Sequence, residues 1–383
     1  MFSAFQTFGR LGAGARAVAA AWTPAALWPT GTEAGMWIDP SNLTSQWQDS
    51  TGTTPVATPG TVADSSNPVG LALDLRLGAP DTLGPELVTG APSTLGGNWT
   101  DNGNGTYTGD GGTGYVIWSF PSSATKWHEA SFTIDSITSG SIGAAGGPGL
   151  QSAVGTYTMI MQPSADLAIF GNSFAGVISG ISFKEIPGNH LLQATSTARP
   201  LLSAYDGQTL GPGNTYDATG YPIYQKYDGT DDGMATASFA AGTFSSAMDC
   251  LIAVRRDSAA NAVCGLYESV SDANKVFGIA ESGSGSGCVG SGAGTPTVWV
   301  DGVQLTGGTA VTRGTLHTAL TVGEYHVLEF RGLDLSTWTA SGFGLYTSYV
   351  LNGAQGGILL FPSSTPTADR DAARTWLGAK VGL

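Results

Sequence analysis

Three kinds of side chain in this sequence could do chemistry: clustered carboxylates, spaced aromatics and thiols. The nearest approach to a hydrolytic carboxylate pair is Glu324-Tyr325-His326-Val327-Leu328-Glu329. Cleaving a glycosidic bond needs two carboxyl groups facing each other across it. Residues five apart in a regular strand point to opposite faces, so these glutamates read as solvated strand-edge charges. No Gly-x-Ser-x-Gly elbow follows a plausible strand, and no phosphate-binding loop is present. Asp228, Asp231 and Asp232 cluster in a Gly-rich loop. Three close carboxylates could hold calcium, a cation that takes oxygen ligands. The same residues also make an ordinary turn, because Asp caps backbone amides and Gly supplies positive φ. Cys250, Cys264 and Cys288 are widely spaced, contain no CxxC, and complete no zinc pattern with the four histidines. They read as core thiols, with a Cys250–Cys264 disulfide as the alternative. Arg255-Arg256 is the one basic pair in a strand context and reads as the solvent end of that strand.

Sugar recognition uses aromatic platforms edged by amides and carboxylates. The candidates are Trp99, Trp118 and Trp127 in the first half of the chain, and Tyr267, Trp299 and Tyr346 in the second. Aromatic rings in β-sandwiches also fill cores, and that reading competes at each position. In Val298-Trp299-Val300, Trp299 faces away from its two valine neighbours.

The elements that must carry these residues follow from composition. The chain has 383 residues, 57 of them Gly, and a net charge of −14 with 11% charged residues. An average globular protein carries about 25% charged residues. The abundance of aromatics excludes a disordered chain, and the acidic balance excludes a nucleic-acid binder. Glycine favours tight turns over helices, so the expectation is an all-β fold. No apolar run is long enough for a transmembrane helix. Arg10 and Arg16 before Ala17–Trp22 faintly resemble a signal peptide but read better as an attachment segment.

Residues 1–84 show no core pattern and read as irregular chain that packs against another chain or another domain. Residues 85–187 show clear alternation, as in Ala130-Ser131-Phe132-Thr133-Ile134-Asp135, which predicts a small β-sandwich. Residues 188–224 read as a connector, and residues 225–383 as a larger sandwich. Asp301-Gly302 is a hairpin signal. A C-terminal helix is predicted after Thr365-Pro366, with Ala368, Ala372, Ala373, Trp376 and Leu377 on one face.

Four stretches resemble a known group. Trp37-Ile38-Asp39-Pro40-Ser41-Asn42-Leu43 with Gln48-Asp49-Ser50-Thr51-Gly52-Thr53-Thr54-Pro55-Val56, followed by Pro68-Val69-Gly70-Leu71 and Asp74, resembles a leader of virion appendage proteins from tailed bacteriophages. The stretch from Trp99 to Glu185, closing on Gly176-Val177-Ile178-Ser179-Gly180-Ile181-Ser182-Phe183, is similar to a jelly-roll module of the carbohydrate-binding type. Ala198-Arg199-Pro200 leading to Tyr227-Asp228-Gly229-Thr230-Asp231-Asp232 resembles the start of a concanavalin-A-like, laminin-G-like lectin domain. Gly357-Ile358-Leu359-Leu360-Phe361 with Trp376-Leu377-Gly378-Ala379-Lys380-Val381-Gly382 resembles its end.

The resemblance implies a tail fibre or tail-tip adhesin of a virion, homotrimeric by analogy. Its leader would dock on other virion proteins through Trp37, Asp39, Pro40, Trp47 and Asp49. Its sandwiches would face a host-surface glycan, with no enzymatic activity, no cofactor unless calcium, no nucleic-acid partner and no membrane insertion. The alternatives are a head-fibre or capsid-decoration protein without a receptor role, and a glycan-degrading tailspike enzyme.

Overall fold

The computed structural model describes residues 22–56, 67–120, 126–147, 149–162, 166–204, 223–269, 272–306 and 311–383. Most of the signal-like stretch, up to residue 21, and residues 205–222 of the connector lie outside the described residues. The fold is all-β, with several antiparallel sheets and, among the described residues, two α-helices, α1 (Arg313–Ala319) and α2 (Thr367–Lys380). No helix among the described residues is long and apolar enough to cross a membrane.

The larger body is a sandwich of an eight-stranded and a five-stranded sheet. Met248–Arg256 lies centrally in the first, paired with Tyr325–Leu333 on one side and Asn352–Pro362 on the other. These strands are apolar along most of their length because both of their faces are covered. Met36, Ile38, Ile252, Val254, Phe330 and Leu360 of this sheet meet Ala72, Leu191, Met234 and Phe343 of the other in one core. Behind the first sheet lies α2, whose Ala373 and Leu377 pack on Leu251, Ala253, Val327 and Leu359. The hairpin forms as predicted, with Asp301 and Gly302 both at positive φ (50° and 78°). The N-cap of α2 is Pro366, one residue later than the sequence signal at Thr365 suggests.

The order of the chain differs from the consecutive layout read from sequence. Residues expected to be irregular supply strands of the larger sandwich. Met36–Ile38 pairs with Asn352–Pro362, and Gln46–Trp47 pairs with Leu71–Ala72 in the five-stranded sheet. Leu71–Ala72 in turn pairs with Leu191–Leu192. Strands of two or three residues are too short to show a period of two, and their partners lie far away in sequence.

It follows that the smaller unit is an insertion between two neighbouring strands of one sheet. Its seven strands, from Thr94–Leu95 to Asp166–Ile186, form a single antiparallel sheet around a separate core. The long strands Trp127–Ala144 and Asp166–Ile186 run side by side with several bulges, the usual device for bending a sheet. Both chain crossings into the unit are tied together at Asp74. This buried carboxylate accepts the backbone N–H groups of Trp37 (2.8 Å), Arg76 (3.0 Å) and Asn189 (2.8 Å). The Asp74 N–H donates to His190 Nδ1 at 2.9 Å, and His190 Nε2 donates to the Ile186 carbonyl at 3.0 Å.

Two charge readings are corrected by this architecture. Glu329 is fully buried rather than solvated, because α2 covers the sheet face that a lone strand would leave open. Arg331 (2.6 Å) and Arg374 (3.3 Å) pair with it. Arg256 is 3% exposed rather than at a solvent end, and its guanidinium donates to the His317 and Leu320 carbonyls, both at 2.8 Å, at the end of α1. Orphan carbonyls at a helix C-terminus are natural partners for a cation. Arg255 is paired with Asp257 and stacked over Tyr224 and Tyr325. The three cysteines are free and buried in the larger core, so no Cys250–Cys264 disulfide forms.

Candidate functional site

Five of the six aromatics singled out as sugar platforms are core residues. Trp99 stacks on Phe174 at 5.6 Å, and Trp118 meets Tyr107 edge-on while donating its indole N–H to the Gly90 carbonyl. Trp127 is 3% exposed and packs with Trp47, Leu73 and Ile186. Tyr267 and Tyr346 pack together at 5.7 Å, and burial pushes the Tyr267 hydroxyl up to about 12. Trp299 lies opposite its buried valine neighbours as its alternation predicts, half-buried beneath the Arg331 guanidinium at 4.0 Å. A cation already occupies that ring face, so Trp299 offers a ligand one face at most.

The leader residues are likewise engaged within the chain. Trp37 meets Trp376 of α2 edge-on at 5.9 Å, and Asp39 pairs with Lys380 at 3.0 Å. Pro40 is buried, and Trp47 joins the core beneath the inserted unit. Burial alone would raise the Asp49 carboxyl. Hydrogen bonds from Thr51, Thr53 and Thr54 outweigh it and hold the group well below the usual range. These contacts fold the leader onto the body.

Asp228, Asp231 and Asp232 do come together, with carboxylate oxygens within 4.8 Å of one another. Asp228 caps the N–H of Thr230 at 2.7 Å, and Asp232 accepts the N–H of Asp228 at 2.8 Å. Burial, with the charges of Asp228 and Asp231, pushes Asp232 up to about 7. The geometry combines the turn and the oxygen cluster that the sequence left as alternatives.

The solvent-facing aromatic pair was not among the residues chosen from sequence. Tyr115 (44% exposed) and Phe170 are register partners on neighbouring strands, with ring centroids 4.8 Å apart. Along Gly114–Ser119, Val116 and Trp118 point inward and Tyr115, Ile117 and Ser119 outward. Along the facing strand, Asp166, Ala168, Phe170 and Asn172 take the outward positions. Gly143 sits opposite Phe170, and Ser141 opposite Asn172. The exposed Leu150 leans over Gly143, with Cδ2 3.3 Å from where a Cβ would stand. The face thus holds two tilted rings, a flat glycine position and an edge of amide, hydroxyl and carboxylate groups. Such a surface can stack on the C–H face of a ring and hydrogen-bond its periphery. The missed signal is one of phase: Tyr115-Val116-Ile117-Trp118 is apolar on both faces, so alternation alone does not say which ring is outside. No protein-family model matches the chain, and no curated protein matches it.

Proposed function

We propose that this protein is a non-enzymatic attachment component of a tailed-phage virion, a tail fibre or tail-tip adhesin. In this reading the inserted unit presents the Tyr115–Phe170 face to a host-surface glycan. The observation that carries it is this solvent-facing aromatic pair on a sheet edged by Asn172, Ser141 and Asp166. The leader and lectin-like stretches of the sequence support the virion setting. Glu329, the nearest approach to a catalytic carboxylate, is saturated by arginines, which supports a binding role over hydrolysis.

Competitive adsorption tests the proposal. The purified full chain should block phage binding to host cells in a dose-dependent way, and Tyr115→Ala should lose most of that block while keeping its circular dichroism. A folded wild-type chain that never blocks overturns the adhesin reading. The capsid-decoration reading is the second choice, and the burial of five of the six candidate sugar aromatics is what favours it.

A further inference from the structure

A cavity lies where the inserted unit meets the larger sandwich, and Tyr115 is not among its lining residues. It has a volume of about 300 Å³, at the small end of ligand pockets, which run from about 300 to 1,000 Å³. One wall comes from the root of the insertion: Trp127, Glu185 and Ile186 at the ends of the two long strands, with Lys126 and Asn189 just beyond them. The other wall, residues 236–240 with Thr243, belongs to the loop that follows Met234–Thr236 of the larger body.

The chemistry of the lining selects a ligand class. Its charged groups are Lys126 and Glu185, which pair with each other at 2.7 Å and cancel. His190 also lines the cavity, yet both of its ring nitrogens are committed and its burial disfavours the charged form. The lining therefore carries no net charge to attract an anion or a cation. It does carry mixed character: Phe239 and Ile186 as apolar wall, the exposed Ser238 hydroxyl, the Asn189 amide, and the Lys126–Glu185 pair as donor and acceptor. The Trp127 indole N–H has no acceptor among the described residues, although the residue is 97% buried and lines this cavity. An unsatisfied buried donor costs roughly 1–3 kcal/mol, which marks this wall as incompletely satisfied by the protein itself. Lys126 is exposed, Glu185 is half-buried, and a single ion pair holds them together, which contributes little near a surface.

We propose that this junction cavity binds a neutral polyhydroxylated ligand, one sugar residue of a saccharide, between the inserted unit and the larger body. This goes beyond the attachment reading and does not require the Tyr115 face to bind anything. Because the two walls belong to different units, an occupied cavity would also brace one against the other.

The test uses the full chain and the methyl glycosides of glucose, galactose, mannose and N-acetylglucosamine as probes. The indole N–H resonance of Trp127, assigned by its disappearance in Trp127→Phe, should move saturably with at least one of them. Ser238→Trp, a change at an exposed lining position whose fold is checked by circular dichroism, should weaken that binding roughly tenfold or more by filling the space. Tyr115→Ala should leave it unchanged, which separates this site from the adhesin face. Glucuronate or glucosamine binding more tightly than the neutral glycosides would overturn the neutral-ligand assignment. No saturable shift with any neutral probe up to its solubility limit, or binding indifferent to Ser238→Trp, would overturn the site itself.

Discussion

At the scale of single residues, buried charge does the joining in this protein. Asp74 holds three backbone N–H groups from three separate stretches of chain. Hydrogen bonds to a charged group contribute about 1.5–3 kcal/mol each, so Asp74→Ala should lower unfolding stability by several kcal/mol, read as a shifted midpoint in urea. Arg256→Met keeps the length of the side chain but strands two carbonyls at the end of α1. A loss of about 2–4 kcal/mol is expected in the same assay. Asp232 adds a pH term. Its folded pKa is raised to about 7 by burial and by neighbouring carboxylates, above its ordinary 3.8. The folded state thus holds its proton more tightly than the unfolded chain does, and this contribution fades as pH rises from about 4 to about 7. Asp232→Asn should flatten that part of the stability profile while leaving an oxygen for the Asp228 N–H; an unchanged slope would refute the assignment.

At the scale of elements, legibility tracked how much of a strand's pattern is local. The Asp301-Gly302 turn was readable because a type I′ hairpin asks for those two residues and little else. Gly302→Ala should therefore cost about 1 kcal/mol, both for the left-handed backbone and for the Arg374 side chain 3.3 Å from the new methyl. The strand containing Glu329 was recognised, but its outer face was misread, since nothing in Tyr325–Leu333 announces a helix from residue 367 onward lying across it. The candidate Trp118 lies inward, and Tyr115 outward, for a related reason. In a strand apolar on both faces, phase is set by the partner strand, here Asp166–Ile186, and not by the strand itself.

At the scale of the whole molecule, the interleaved order of the chain changes which pieces can stand alone. Removing residues 1–84 would strip Met36–Ile38, Gln46–Trp47 and Leu71–Ala72 from the larger sandwich. Such a truncation should be insoluble or unfolded by circular dichroism. Replacing residues 78–186 with a short Gly-Ser linker should instead leave a folded body, because the crossings it would reconnect already lie side by side at Asp74 and Asn189. A folded 1–84 deletion, or an unfolded excision, would contradict the insertion topology. The paired crossing also has a mechanical side. A head mounted on one strand can swivel about its tether, whereas a head mounted on two adjacent strands resists torsion and keeps its aim. Much of the orientational freedom that capture of a surface ligand would otherwise remove is then already gone before contact, which favours tighter binding for the same contact area.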